Sequence, residues 1–326
     1  MEKILILGGT QFIGRTLVEQ LQKLNKYDIT LFNRQKTQAD LFPDVKKIKG
    51  DRETNDVSQI KNEDWDYVID VSCYYPDSLV NVLDSLKGSL KKYILVSTCS
   101  VYDEVNDQTP MRAETGKVLN CTNEERTDRT NASYGNRKAE CERILVNSNH
   151  KYTIFRPSLV YGPYDHTDRL YYWLYQVQTN KTLLLPDFGE KLFSITYVHD
   201  LVNAIINALK SDVSGIYNVT TALETSIKEI VEYAEKLLDK TAKTKNAAPS
   251  FLNENNVEQW TDMPLWLDGD YFSYDNQQLK NDFDFQLTNY EESLKNTIAY
   301  YETLNWHKPI YGMSEKTKIG LLEKLD

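Results

Sequence analysis

Six short apolar runs divide the first half of the chain: "KILILG", "DITLFN", "VKKIKG", "DYVIDVS", "KYILVST" and "YTIFRPS". Helical periods separate them, as from Phe12 to Leu24, where Ile13, Leu17, Leu21 and Leu24 share one face. Continuous apolar strands alternating with helices are the pattern of a parallel sheet covered on both sides. The expected fold class is therefore α/β, a doubly wound parallel sheet. After Pro163 the texture changes. "LYYWLYQVQ" reads as an aromatic-rich helix, and "FSITYVHDLVNAIINALK" as a strand followed by a helix with Asp200 at its N-cap. "GIYNVT" returns to strand character, "SIKEIVEYAEKLLD" is helical, and the polar residues 240–256 read as a surface loop.

The first apolar run ends in Gly8 and Gly9, and Gly14 follows five positions later. A strand, a glycine turn and an amphipathic helix in that order can hold a pyrophosphate. Gly8 allows the sharp turn and Gly14 a close approach of helix to sheet, while the helix N-terminus offers N–H groups and positive potential. The same turn could be a plain bend, so the weight falls on what accompanies it. In "ASYGNRKAECERIL", Tyr134 and Lys138 stand four apart on one helix face, the only Tyr-x-x-x-Lys in the chain. A phenol titrates at about 10 and is a poor base at neutral pH, and a nearby ammonium favours its ionised form. A third feature is "YILVSTCSVYD", a strand ending in hydroxyl residues.

Charge and cysteine usage exclude other classes. The formal charge of −10 repels phosphate backbones, so nucleic-acid binding is not expected. Cys73, Cys99, Cys121 and Cys141 stand 20 or more residues apart and the four histidines are isolated, which suits reduced thiols and gives no metal site. Met1 leads within two residues into a strand and no 18-residue apolar run occurs, so neither a secretory leader nor a membrane span is expected. A cytoplasmic location is the expectation.

Together with "RPSLVYGP" (Arg156 to Pro163), "ITYVHDLVNAI" and "DNQQLKNDFDF", these motifs resemble the extended short-chain dehydrogenase/reductase family of epimerases, dehydratases and reductases over nearly the whole chain. The resemblance implies a Rossmann-type domain over residues 1–163 with a return segment at 192–220. A smaller C-terminal substrate-binding lobe would come from 164–191 and 221–326, with the active cleft between the two. It implies Tyr134 as acid/base, Lys138 to lower its pKa and hold the nicotinamide ribose, and Thr98 to hydrogen-bond the reacting oxygen. Gly8, Gly9, Thr10, Gln11, Phe12, Ile13 and Gly14 would wrap the pyrophosphate, and Asp51 would contact adenine. Val71, Ser72 and Pro157 would border the cofactor, with Asn33 and Arg34 at its adenosine ribose. The implied activity is NAD(P)-dependent oxidation or epimerisation of a secondary alcohol or sugar-like substrate, nucleotide sugars included. The partner expected is that small molecule, and a homodimer is compatible with the reading.

The chain departs from the family pattern in three places. Gln11 replaces the middle glycine of the loop, and this "GGTxFIG" form resembles an atypical branch that includes the chloroplast stem-loop RNA-binding proteins. Cys99-Ser100 stand where dehydratases carry Asp-Glu, and Leu159 where epimerases place an asparagine. At the end of the second strand, Phe32-Asn33-Arg34 offers no carboxylate to a ribose diol, and Arg34 could meet a 2′-phosphate or simply face solvent. NADP is expected ahead of NAD, which stays open. Two other readings remain: an RNA-binding protein on the same fold, and a non-catalytic NAD(P)-binding regulator. His199 reads as a packing or capping residue, Lys46, Lys47 and Lys49 as a solvated edge, and Tyr74 and Tyr75 as shaping the cleft.

Overall fold

In the computed structural model, which describes residues 1–88, 90–179, 182–267 and 272–325, all six apolar runs form strands. They are β1 (Glu2–Leu7), β2 (Tyr27–Asn33), β3 (Lys46–Lys49), β4 (Tyr67–Asp70), β5 (Lys92–Val96) and β6 (Tyr152–Pro157). There follow β7 (Leu159–Tyr161), β8 (Leu183–Pro186), β9 (Phe193–Tyr197), β10 (Gly215–Val219), β11 (Ala222–Thr225) and β12 (Thr244–Ala247). Seven of them make one parallel sheet in the order β10-β6-β5-β4-β1-β2-β3. The order reverses between β1 and β4, whose ends lie side by side, with Leu7 opposite Asp70. Loops leaving such a switch point diverge and leave a crevice at the carboxyl ends of the strands.

Alternation along each strand divides the core between the two faces. On one, Leu5, Leu7, Val68, Tyr93, Leu95 and Ile154 pack with Leu79 and Val82 of the helix Pro76–Asp84 and with Cys141 and Leu145 of the helix Tyr134–Val146. The intervening Ile4, Ile6, Ile69 and Ile94 are just as buried, so the opposite face is covered too. The helices Phe12–Leu24 and Val198–Lys210 pack against each other and against the sheet. Lys46, Lys47 and Lys49 lie on edge strand β3, with Lys46 paired to Glu63.

The chain forms two compact units. The first holds Met1–Ser158, Val198–Thr220 and Tyr274–Leu287, and so contains the whole seven-stranded sheet. The second holds Leu159–Tyr197, Thr221–Ser273 and Thr288–Asp326, with a three-stranded sheet β11-β9-β7 and a parallel pair β12-β8. Two expectations need correction. Residues 240–256 are not a loop: Thr244–Ala247 pairs in parallel with Leu183–Pro186, and Pro249–Glu254 is helical. The strand is legible only through that distant partner. Asp200 is not the N-cap either, because its helix begins at Val198 and leaves the aspartate buried in the first turn.

Candidate active site

The glycine turn leaves β1 at the switch point. Gly8 and Gly9 have φ of +112° and +101°, where a side chain would be strained. A Cβ at Gly14 would stand 2.8 Å from Cα and N of Gly9, so the start of the helix Phe12–Leu24 rests directly on the turn. Gly8 N donates to Phe32 O at 3.0 Å, and Asn33 Nδ2 donates to Gly8 O at 2.8 Å, bracing the turn from the end of β2. Gln11 precedes the helix in extended backbone (φ −134°), which any residue adopts, so glycine is not required there. The side chain of Gln11 is exposed and caps nothing, and no acid stands in the first helical turn. That end of the helix is suited to an anion.

Beyond β4, Val71 N and Ser72 Oγ both donate to Leu7 O, at 3.3 and 3.0 Å. Beneath this loop Asp70 is fully buried. It accepts two bonds from Arg52, at 2.6 and 2.8 Å, and one from Tyr93 OH at 2.8 Å. Burial alone would raise its pKa, but the Arg52 guanidinium and the bonds from Tyr93 and Ser72 N together hold the carboxyl below its ordinary value.

Tyr134 opens its helix and Lys138 lies one turn further on, 2% exposed. Lys138 Nζ donates to Cys73 O at 2.7 Å and to Val96 O at 2.8 Å, the backbone just past β4 and at the end of β5. Burial works against its charge, yet Tyr134, Cys73, Cys141 and Asp70 together raise its pKa above the ordinary value. Gly135 lets the helix start reach the Cys99–Val101 turn, since a Cβ there would collide with Ser100 O. In that turn Thr98 Oγ1 accepts from Ser100 N at 3.1 Å and donates to Ser100 Oγ at 3.2 Å. The Tyr74 ring, half exposed, lies 6.4 Å from the Tyr134 ring and 6.0 Å from Lys138 Nζ.

The expected residues thus divide into groups. The turn from Gly8 to Gly14, with Asn33, Val71, Ser72 and Lys138, is tied together by the contacts above. Thr98 sits beside the helix that opens with Tyr134, and Pro157 ends β6 in the same sheet. Arg34 and Asp51 form a separate pair past β2 and β3, 3.8 Å apart, with Arg34 exposed and Asp51 partly buried. Cys99, in the dehydratase acid's place, is buried with its Sγ donating to Arg156 O. Sequence reasoning missed Asp70, Arg52 and Tyr93, although a carboxylate closing an apolar strand was a usable signal. His199 is half-buried in the first turn of its helix, and burial pushes its pKa down. The second unit has a small hollow lined by Pro186, Asp187, Gly189, Ile227 and Trp266, none of them expected to do chemistry. Among the described residues no cluster could hold a metal ion, and no helix is long and apolar enough to cross a membrane.

Residues 4–220 match the model of the NAD dependent epimerase/dehydratase family. The chain belongs to this family. It is 26% identical over 236 residues to the chloroplast stem-loop binding protein of 41 kDa b from Arabidopsis thaliana, covering 67% of this chain and 58% of that protein. The match thus spans little more than half of that relative's length. Among solved structures it resembles UDP-N-acetylglucosamine 4-epimerase from Methanobrevibacter ruminantium, in complex with UDP-N-acetylmuramic acid. There the TM-score is 0.72 at 20% identity, with 93% of this chain and 99% of that one covered. UDP-glucuronic acid 4-epimerase from Bacillus cereus, in complex with NAD, gives a TM-score of 0.70 at 19% identity, covering 93% and 99%. At such identities these structures speak to the family's fold.

Proposed function

We propose that the chain is a nicotinamide-dependent epimerase or oxidoreductase acting on a secondary alcohol or a sugar-like carbonyl. The observation that carries this reading is the placement of Lys138. Its ammonium is fixed between the carbonyls of Cys73 and Val96, one helical turn from Tyr134 and past the same strand end that braces the glycine turn. The residues fit a dinucleotide: close-packed glycines and an uncapped helix N-terminus free of acids. A bound nicotinamide supplies hydride chemistry. The protein's part is to hold and move the proton. Tyr134, half-exposed, exchanges it with the substrate hydroxyl, and Lys138 keeps a positive charge beneath the phenol. Thr98 steadies the reacting oxygen. Water elimination is disfavoured, because Cys99 is buried and bonded where a dehydratase would need an acid.

NADP is the preferred cofactor in this reading. Asn33 spends its side chain on Gly8 O and Gln35 N, which leaves Arg34 as the group past β2 able to meet a 2′-phosphate. Substrates of the nucleotide-sugar class follow from the solved relatives named above. The likeness to a stem-loop binding protein raises RNA as a ligand, but the charge of −10 opposes it. Calorimetric titration with NAD⁺, NADH, NADP⁺ and NADPH tests the proposal: saturable heat and thermal stabilisation are expected with at least one. No response to any of the four at millimolar concentration would end it, and salt-sensitive retention of stem-loop RNA would then favour the other reading.

A further inference from the structure

We infer that Asp70 is a positioning residue that sets Lys138 in place and, through it, the bound cofactor; this rests on the function proposed above. A carboxylate enclosed at the end of an apolar strand is costly, and pairing it with a buried guanidinium offsets that cost without a clear gain in stability. Here the balance is poorer still, because Arg52 Nε has no hydrogen-bond partner among the described residues. What the carboxylate does achieve is geometric. Its Oδ1 accepts from Ser72 N at 3.1 Å, while Arg52 and Tyr93 keep the carboxylate itself from turning.

Three contacts issue from the three residues that follow. Val71 Cγ2 lies so near the glycine turn that a Cβ on Gly8 would stand 2.8 Å from it. Ser72 Oγ donates to Leu7 O, the last carbonyl of β1. Cys73 O receives Lys138 Nζ. One buried carboxylate therefore orients the strand end that touches both the dinucleotide turn and the lysine. Asp70 also belongs to the set of charges that keep Lys138 protonated.

The test is a double-mutant cycle read as the Kd for NADH and NADPH, with the unfolding midpoint measured alongside. Asp70→Asn keeps the shape but loses the charge, and Tyr93→Phe removes one bond to the carboxylate without stranding a charge. Each is made in the parent protein and in Lys138→Met. Expected in the parent are a loss of affinity of about tenfold for Asp70→Asn and about threefold for Tyr93→Phe. In Lys138→Met both losses should shrink to less than half their size on a logarithmic scale, because the part that runs through the lysine is gone and only the part through the glycine turn remains. Equal losses in the two backgrounds would make Asp70 a purely structural residue, and unchanged affinity in the parent would overturn the inference as well. Tyr93→Phe carries the cycle should Asp70→Asn fail to fold. A parent protein that binds neither nucleotide defeats the proposed function itself, whereas normal parent binding with an additive cycle defeats only this inference.

Discussion

Lys138 is a buried cation held by two carbonyls rather than by a carboxylate, so removing it has structural as well as chemical consequences. Lys138→Met leaves both carbonyls without their donor and should cost about 1–3 kcal/mol of stability, read as a lower midpoint in urea, besides weakening cofactor binding and turnover. The sign of the pH dependence follows from the raised pKa. A folded value above the ordinary 10.5 means that the contribution is complete below about pH 10.5 and is lost as pH climbs through the folded value. The stability gap between parent and variant should therefore be level from pH 6 to 9 and narrow only in strong alkali. Tyr134→Phe separates chemistry from binding: turnover should fall by about 10²–10⁴, with cofactor Kd changed only a few-fold. Retention of full turnover would remove Tyr134 from the mechanism. At the adenosine end, Arg34→Ala should weaken NADPH at least about tenfold, the size of a lost charge-assisted contact, and leave NADH nearly unchanged. Equal losses for both would assign Arg34 to its pairing with Asp51 alone. That Tyr134 and Lys138 lie one turn apart on a helix was legible because a four-residue interval is local, whereas Thr98 was placed by the family resemblance. Asp70, Arg52 and Tyr93 were not legible, since three separate segments meet only once the sheet has formed.

At the level of elements, the glycine turn shows what a sequence motif does and does not encode. The departure at Gln11 suggests a compromised loop, yet that position is extended and exposed, and the positive φ values fall on its neighbours Gly8, Gly9 and Phe12. The demand for glycine is set by backbone conformation and packing, so Gly14 is the more sensitive position. Gly14→Ala would force a methyl to within 2.8 Å of the Gly9 backbone, where no flexible side chain can yield. A cost of about 1–3 kcal/mol is expected from such overpacking, with the helix N-terminus displaced and nucleotide heat lost in calorimetry. Gln11→Gly should change cofactor affinity little; a large gain would show that the glutamine side chain obstructs the phosphate. The central strands of the large sheet were legible for a related reason: buried on both faces, β1, β4 and β5 must be largely apolar. β12 was not, because its sequence is "TKNA" and its identity comes from pairing with "LLLP" of β8. Asp200 misled because a carboxylate two residues inside a helix reads the same as one at its cap.

On the scale of the whole molecule, the first unit is one structure made from three stretches of chain, and no cut near residue 163 leaves it intact. Such a cut removes β10, turning β6 into an exposed edge, and also the helix Val198–Lys210, which covers part of one face. Specific bonds go with them. Lys92 Nζ, 2% exposed at the start of β5, donates to Ala208 O, Ser211 O and Val213 O at 2.7, 2.6 and 2.8 Å. Tyr67 OH donates to Leu209 O at 3.0 Å, and Tyr102 OH to Asn218 Oδ1 at 2.7 Å. The cut removes these acceptors together with the segment that buries the donors, so each bond to the ammonium forfeits its net contribution, about 1.5–3 kcal/mol for a charged group, and the apolar face laid open adds to that. Against a total stability of about 5–15 kcal/mol, the fragment 1–163 should show no cooperative transition in calorimetry and should bind no nucleotide, even though it carries the glycine turn, Thr98, Tyr134 and Lys138. Lys92→Met in the full chain removes the same anchor while leaving the sheet complete. It should fold and still bind cofactor, with its unfolding midpoint lowered. If fragment 1–163 unfolds cooperatively and binds nucleotide as the full chain does, the returning helix and β10 are dispensable and the motif-bearing half is a domain in its own right.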